Sequence, residues 1–363
     1  ILYLTSARNR LLALDAKTGE LYWRYDHPLP DNLRLCCGPA NRGVAIADDV
    51  VLMATLDAKL VALGRKTGVV AWETTIDDYA VGFSATSAPL VIGDIAVIGV
   101  GGGEYGVRGY FDGYDVTSGE RRWRHYTIPA VGEPGAETWA SESFLHGGGA
   151  TWSTGSYDPD TDTLFWTTGN PSPDWNGDDR LGDNLYSDSV LAVDPSTGDR
   201  KWHFQFTPHD VWDYDGNSEI WLVDLEIDGR RVPTLAQANR NGYLYVIDRR
   251  NGEFLRATQY ADQVNWGTVG PDGRATVNPD MMPAENPEVR VCPGLAGGNN
   301  AAYAGAFNPD LGLAFVPVIE SCMLFRKAPA VLRPGIPFFG GSPIPVDANN
   351  GTAYGHLSAV DLA

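Results

Sequence analysis

Two carboxylates stand two residues apart in the stretch Thr207-Pro208-His209-Asp210-Val211-Trp212-Asp213-Tyr214-Asp215-Gly216. In an extended strand, side chains two apart face the same side, so Asp213 and Asp215 can reach one ion. A third carboxylate, Glu104, lies in Gly101-Gly102-Gly103-Glu104-Tyr105-Gly106. Small neighbours let it approach an ion, and a hard cation takes such oxygens. Each stretch also has a plainer reading. Glycine runs make tight turns, Asp-Gly is an ordinary turn, and Asn170-Pro171 alone reads as one too. Trp152, in Gly147-Gly148-Gly149-Ala150-Thr151-Trp152, reads first as a core aromatic. The adjacent Cys36 and Cys37 can bridge each other only through a strained eight-membered ring, so ordinary geometry favours pairing with Cys292 or Cys322. Four cysteines leave three pairings open.

The elements that must position these residues come from a repeat. Ala13-Leu14-Asp15-Ala16-Lys17-Thr18-Gly19-Glu20-Leu21-Tyr22-Trp23 returns from Ala62 to Trp72, with Gly64 in place of the Asp. It returns from Tyr114-Asp115 to Trp123 and from Ala192-Val193-Asp194 to Trp202. A weaker fifth copy has Val246-Ile247-Asp248 and Asn251-Gly252, with Arg256 in the Trp place. A sixth begins at Ala359-Val360-Asp361. The spacing of roughly 50 residues is that of propeller blades. An apolar strand ends at Asp, a Thr-Gly turn reverses the chain, and the next strand carries Trp. Trp then fills the space between neighbouring blades. No long segment keeps a helical period, which favours an all-β fold. The chain of 363 residues reads as one propeller domain over 1–363, part of a larger ring and cut at both ends.

The formal net charge of −19 argues against nucleic acid, whose phosphates need a basic surface. It suits a solvated acidic surface or the steering of a basic partner. No run is long and apolar enough to span a bilayer as a helix. The small, even number of cysteines fits an oxidising compartment.

Taken together, these motifs resemble the PQQ-dependent (pyrroloquinoline quinone) methanol and ethanol dehydrogenase family, in its lanthanide-dependent type. The resemblance runs from about Ala13 to about Met323. It implies an eight-bladed β-propeller with tryptophan-docking repeats, in the periplasm. It implies a vicinal Cys36–Cys37 disulfide over one face of the quinone, with Cys292–Cys322 as a structural bridge. Arg42 would grip a PQQ carboxylate, Thr86 contact the quinone, Trp152 form its floor and Asn300 contact the cofactor. Gly101 stands where the family often has Ser. Glu104, Asn170, Asp213 and Asp215 would hold the metal. Asp215 is the feature of lanthanide-dependent members; calcium-dependent members usually have a small neutral residue there. Asp213 would be the base, since an alcohol O–H is a poor acid and a nearby carboxylate must take its proton. Arg240 would steady the oxyanion beside it. His209 reads as structural. The implied reaction oxidises a primary alcohol to the aldehyde and passes electrons to a cytochrome c; a homodimer is left open. No Cys-x-x-Cys-His haem motif occurs in the chain. The rival class is a non-catalytic propeller scaffold of the outer-membrane assembly type. It explains the repeats but not the site motifs arriving together.

Overall fold

The second to fifth copies of the repeat each supply the third and fourth strands of a four-stranded antiparallel meander, and the first copy supplies the last two strands of a three-stranded one. The computed structural model describes residues 1–140, 142–299, 303–346 and 354–363. Four consecutive four-stranded sheets end on the strands Val70–Thr75, Arg121–Tyr126, Arg200–Gln205 and Phe254–Gln259. A three-stranded sheet of Leu2–Ser6, Arg10–Leu14 and Leu21–Asp26 precedes them. A sheet of Ala306–Asn308, Leu313–Glu320 and Tyr354–Asp361 follows. The helices among the described residues are short 3-10 turns, so the fold is all-β, and no helix is long and apolar enough to cross a membrane.

The repeated residues account for the stacking. Trp23, Trp72, Trp123 and Trp202 each lie over the turn glycine of the next repeat. A Cβ on Gly68, Gly119, Gly198 or Gly252 would stand only 2.6–2.7 Å from a ring atom. These glycines also have left-handed backbone, with φ from +69° to +79°, which side chains with a Cβ resist. The indole N–H groups of Trp23, Trp72 and Trp123 donate to the carbonyls of Arg65, Val116 and Pro195 in the next repeat. Arg256 keeps the same direction by other chemistry. Its guanidinium donates to the carbonyls of Asp361, at 2.9 Å, and Ala363, so the weak fifth copy still docks onto the sixth. Apolar side chains fill the seams between successive sheets. Leu52, Ala62, Ile98 and Tyr114 share one core, and Phe165, Val190, Leu235 and Ile247 another.

Strand alternation then decides where chemistry can sit. Successive strands of a meander run in opposite directions, so the repeat turns open on one end of every sheet. The connections after the second and fourth strands open on the other. Residues 79–89, 100–109, 127–140, 142–155, 168–188, 206–220 and 239–242 belong to connections of the second kind, and 36–42 follow the last strand of the three-stranded sheet. The candidate residues therefore gather at one end of the stacked sheets, although they are scattered along the sequence.

Replacing Gly119 by Ala forces a Cβ into Trp72 at a positive φ. The change should cost roughly 2–4 kcal/mol, read as a lowered denaturation midpoint. Loss of less than 0.5 kcal/mol would mean that the Trp–Gly seam is loosely packed. Acid should also weaken the fold. Burial, first, holds His125 and His203 down to about 4. His125 Nδ1–H donates to the Gly198 carbonyl at 2.8 Å, and its buried Nε2 has no hydrogen-bond partner among the described residues, so the neutral ring is the one that fits. Between about 4 and the ordinary imidazole value near 6.5, the unfolded chain binds protons that the folded chain does not. Stability is full above that window and falls as pH drops through it. His125→Gln should flatten this part of the stability–pH curve; an unchanged slope would exclude His125 as a contributor.

Candidate active site

The site is built around Asp215. Its Oδ1 accepts the Asn170 backbone N–H at 3.1 Å. Gly169 allows that approach, because a Cβ there would lie 2.6 Å from the same oxygen. The Trp152 indole also lies near enough to Asp215 to favour its charged form. On the other side, Arg240 Nη2 lies 3.5 Å from Asp215 Oδ2, while Nη1 lies 3.7 Å from Asp213 Oδ1 and donates to the Asp213 carbonyl at 2.5 Å. Arg240 is buried, and its Nε has no hydrogen-bond partner among the described residues. The turn at 239–242 sets its direction. Asn239 Oδ1 accepts the Asn241 N–H, Gly242 at φ +96° closes the hairpin, and Asn239 Nδ2 donates to the Asp215 carbonyl at 2.8 Å.

A second group adjoins it. Arg42 Nη1 donates to Thr86 Oγ1 at 2.6 Å, and the Thr86 hydroxyl donates to the Trp152 carbonyl at 3.3 Å. The Arg42 guanidinium carbon lies 4.9 Å from the Trp152 ring centre. Three distant segments thus place two polar groups beside one flat aromatic face. The third group is Glu104, whose carboxylate lies with the Cys36 and Cys37 sulfurs, all within 4.8 Å of one another. Glu104 sits on the 3-10 turn Gly103–Tyr105 between two left-handed glycines. Its carbonyl accepts the Phe338 N–H at 2.6 Å, so the segment around Leu332–Phe338 packs over this side. A cavity of about 320 Å³ opens beneath that segment, lined by Arg34, Tyr79, Gly335 and Ile336 among others.

Electrostatics favour a cation. Burial, first, raises Glu104, Asp213 and Asp215 above the usual carboxylate range. Asp215 adds to the rise at the other two, and Arg240 offsets part of the cost for both aspartates. Three acidic side chains thus sense one another through Asp215, with a single arginine between the two aspartates. That donor set fits a hard metal ion. The Arg42–Thr86–Trp152 group fits a flat polyanionic ligand.

Several expectations need correction. Cys36 and Cys37 are free thiols here, so the vicinal bridge is not formed, whereas Cys292–Cys322 is bonded. Closing a ring of eight atoms strains the peptide between the two residues; the sulfurs approach without bonding, and the neighbouring thiol, then burial and Glu104, raise Cys36. Asp213 and Asp215 lie on no strand. Both have left-handed backbone, at φ 64° and 59°, in the loop before Trp221–Ile227. Among the described residues the oxygens of Glu104, Asp213 and Asp215 do not close to within 4.8 Å as a set, because Arg240 engages the two aspartates and Glu104 turns to the thiols. Asn300 lies outside the described residues. His209 Nδ1 donates to the Gly182 carbonyl at 2.9 Å, and its ring covers Gly177. At Gly101 the Ser84 hydroxyl stands 2.9 Å from where a Cβ would be, so the space of the missing side chain is already taken.

Sequence reasoning missed what holds the loop. Asp210, fully buried, accepts the backbone N–H groups of Trp212 and Tyr214 at 2.8 and 2.7 Å, bending the chain so that Asp213 projects between them. Arg180, also fully buried, donates to the carbonyls of Asp210 and Pro173 and to Asn184. An Asp a few residues ahead of a functional one is a recognisable local cap. Arg180, thirty residues away, leaves no such local signal.

The family described as "Glucose/ethanol/alcohol dehydrogenase, beta-propeller domain" matches residues 1–262. The chain belongs to this family. Its relatives include the quinoprotein alcohol dehydrogenase PedH of Pseudomonas putida KT2440, 38% identical over 99% of this chain and 64% of that protein. They also include the lanthanide-dependent methanol dehydrogenase of Methylacidiphilum fumariolicum, 35% identical over 96% of this chain and 61% of its own length. The chain thus spans less than two thirds of either. Among solved structures, a europium-containing methanol dehydrogenase superposes with a TM-score of 0.92 at 34% identity, covering 99% of this chain and 67% of that one.

Removing the Asp210 carboxylate strands two buried N–H groups. Asp210→Ala should lower stability by roughly 2–5 kcal/mol and disorder the 211–216 loop, seen as faster amide exchange there. Exchange no faster than in wild type would mean that the loop holds its shape without Asp210.

Proposed function

We propose that this family member is the catalytic propeller of a periplasmic quinoprotein alcohol dehydrogenase that oxidises primary alcohols and passes electrons to a cytochrome c. The observation that carries the reading is the convergence on Asp215 of Asn170, Trp152 and Arg240 from three separate connections. Arg42, Thr86, Trp152 and the Cys36–Cys37 segment would hold PQQ, with Glu104, Asn170, Asp213 and Asp215 around a metal ion. When bound, the quinone supplies an electrophilic carbonyl carbon that accepts hydride, and the ion supplies a Lewis acid.

The chain's own residues do the rest. Asp213 Oδ1 takes the proton of the alcohol O–H, a role that suits a carboxylate made more basic by burial. Arg240, fixed by the Asp213 carbonyl, presents an unshared Nε and a permanent charge to negative charge developing beside it. Asp215 adds a third acidic oxygen donor, which balances a trivalent ion and overloads a divalent one. The names of the lanthanide-dependent relative and of the europium-containing structure support this preference over calcium.

The test uses full-length protein reconstituted with PQQ and either lanthanum or calcium, assayed with a dye acceptor. Asp213→Asn should lose at least a thousandfold in turnover while retaining quinone absorbance. Asp215→Ala should lose lanthanum-dependent turnover far more than calcium-dependent turnover. Turnover near wild type in Asp213→Asn contradicts the base assignment. Equal activation of wild type by both ions, with lanthanum activation unchanged in Asp215→Ala, makes Asp215 a turn residue and leaves calcium as the ion.

A further inference from the structure

We infer that Asp262, Glu320 and His356 form a second metal site, selective for a divalent transition ion such as zinc. The site lies where the fifth sheet meets the sixth. Asp262 follows the strand Phe254–Gln259, Glu320 ends Leu313–Glu320, and His356 lies on Tyr354–Asp361, paired across from Val318. One ligand atom from each residue lies within 4.8 Å of the other two.

Hydrogen bonding fixes the tautomer of the neutral imidazole. The Ser358 hydroxyl donates its one hydrogen to the Tyr260 carbonyl at 2.9 Å, since a carbonyl can only accept. Ser358 Oγ also stands 3.1 Å from His356 Nε2, so there it must accept, and Nε2 carries the ring hydrogen. In the neutral ring Nδ1 is then a bare lone pair. That atom is buried, has no hydrogen-bond partner among the described residues, and faces Glu320 Oε1 at 3.9 Å. A lone pair facing a carboxylate is repulsive unless a cation, a proton or a metal ion, stands between them, and at 3.9 Å the gap is too long for a direct hydrogen bond but leaves room for an ion.

The remaining contacts prepare the ligands. Glu320 is buried, with its two oxygens accepting the Asp262 and Gln263 backbone N–H groups at 2.8 and 3.2 Å. The Tyr354 hydroxyl donates to Asp262 Oδ2 at 2.7 Å, leaving Oδ1 to turn toward an ion. A ligating imidazole whose other nitrogen is tied down, beside carboxylates that are themselves hydrogen-bonded, is the outer arrangement metal sites use. Ligand atoms around tetrahedral zinc lie about 3.3–3.5 Å apart, so the 3.9 Å pair needs to close by only a few tenths of an ångström. Nitrogen in the set distinguishes it from the all-oxygen donors at Asp213, which suit harder ions. The Tyr260 hydroxyl donates to the Asn239 carbonyl at 2.6 Å, so an ion here would brace the segment that carries Arg240.

Zinc alone, without PQQ or lanthanide, is the probe. Full-length protein is dialysed against it and examined by zinc-edge X-ray absorption. One zinc per chain with imidazole scattering is expected. His356→Ala should abolish that signal, and Asp262→Asn should weaken zinc binding at least tenfold, whereas Asp215→Ala should leave the signal in place. Asp262 is exposed, so its variant decides the matter even if His356→Ala fails to fold by circular dichroism. Absence of imidazole-bound zinc, or zinc bound equally by wild type and Asp262→Asn, overturns the inference.

Discussion

Carboxylates buried side by side lose hydration and repel one another, and the end of the propeller that carries the site is organised by that constraint. Arg240 stands against Asp213 and Asp215, and Arg180 lies beneath the loop that presents them. Neither arginine neutralises the group fully, which is why burial still raises all three acids of the proposed metal set. A protein gains nothing in stability from such an arrangement, since buried ion pairs seldom recover their desolvation cost.

The sheets meet this constraint by being stiff where the site is not. Each tryptophan closes onto a glycine of the next repeat, so successive sheets are locked in one relative position. The long connections at the opposite end are then free to carry irregular backbone. Left-handed residues at Asp188, His209, Asp213 and Asp215 concentrate in two of these connections. Strain of that kind is tolerated when the surroundings over-determine it, as the Asp210 and Arg180 bonds do here.

Much of this was legible in the residues. The repeat announces both the all-β stacking and its docking tryptophans, because a large aromatic at a fixed offset from Thr-Gly has one geometric use. Even Arg256 kept its place, with charge-assisted bonds replacing ring packing. The short motifs around Arg42, Thr86, Trp152, Asn170, Asp215 and Arg240 identified side chains that the fold does gather. Less was legible where local backbone decides. Asp213 and Asp215 look like alternate positions of a strand, yet two left-handed residues turn them instead. The adjacent cysteines look bonded by resemblance, yet here their sulfurs only approach. Arg180 was invisible because the partner that matters, the Asp210 carbonyl, comes from another connection thirty residues away that no local pattern links to it.

The central claim is that one ion belongs among Glu104, Asn170, Asp213 and Asp215. Anomalous diffraction from crystals of the full-length protein grown with PQQ and lanthanum tests it directly. The account predicts one strong lanthanum peak in contact with oxygens of all four side chains, with Glu104 turned away from Cys36 and Cys37. A peak that excludes Asp215, or lanthanum bound only at surface carboxylates, would contradict it.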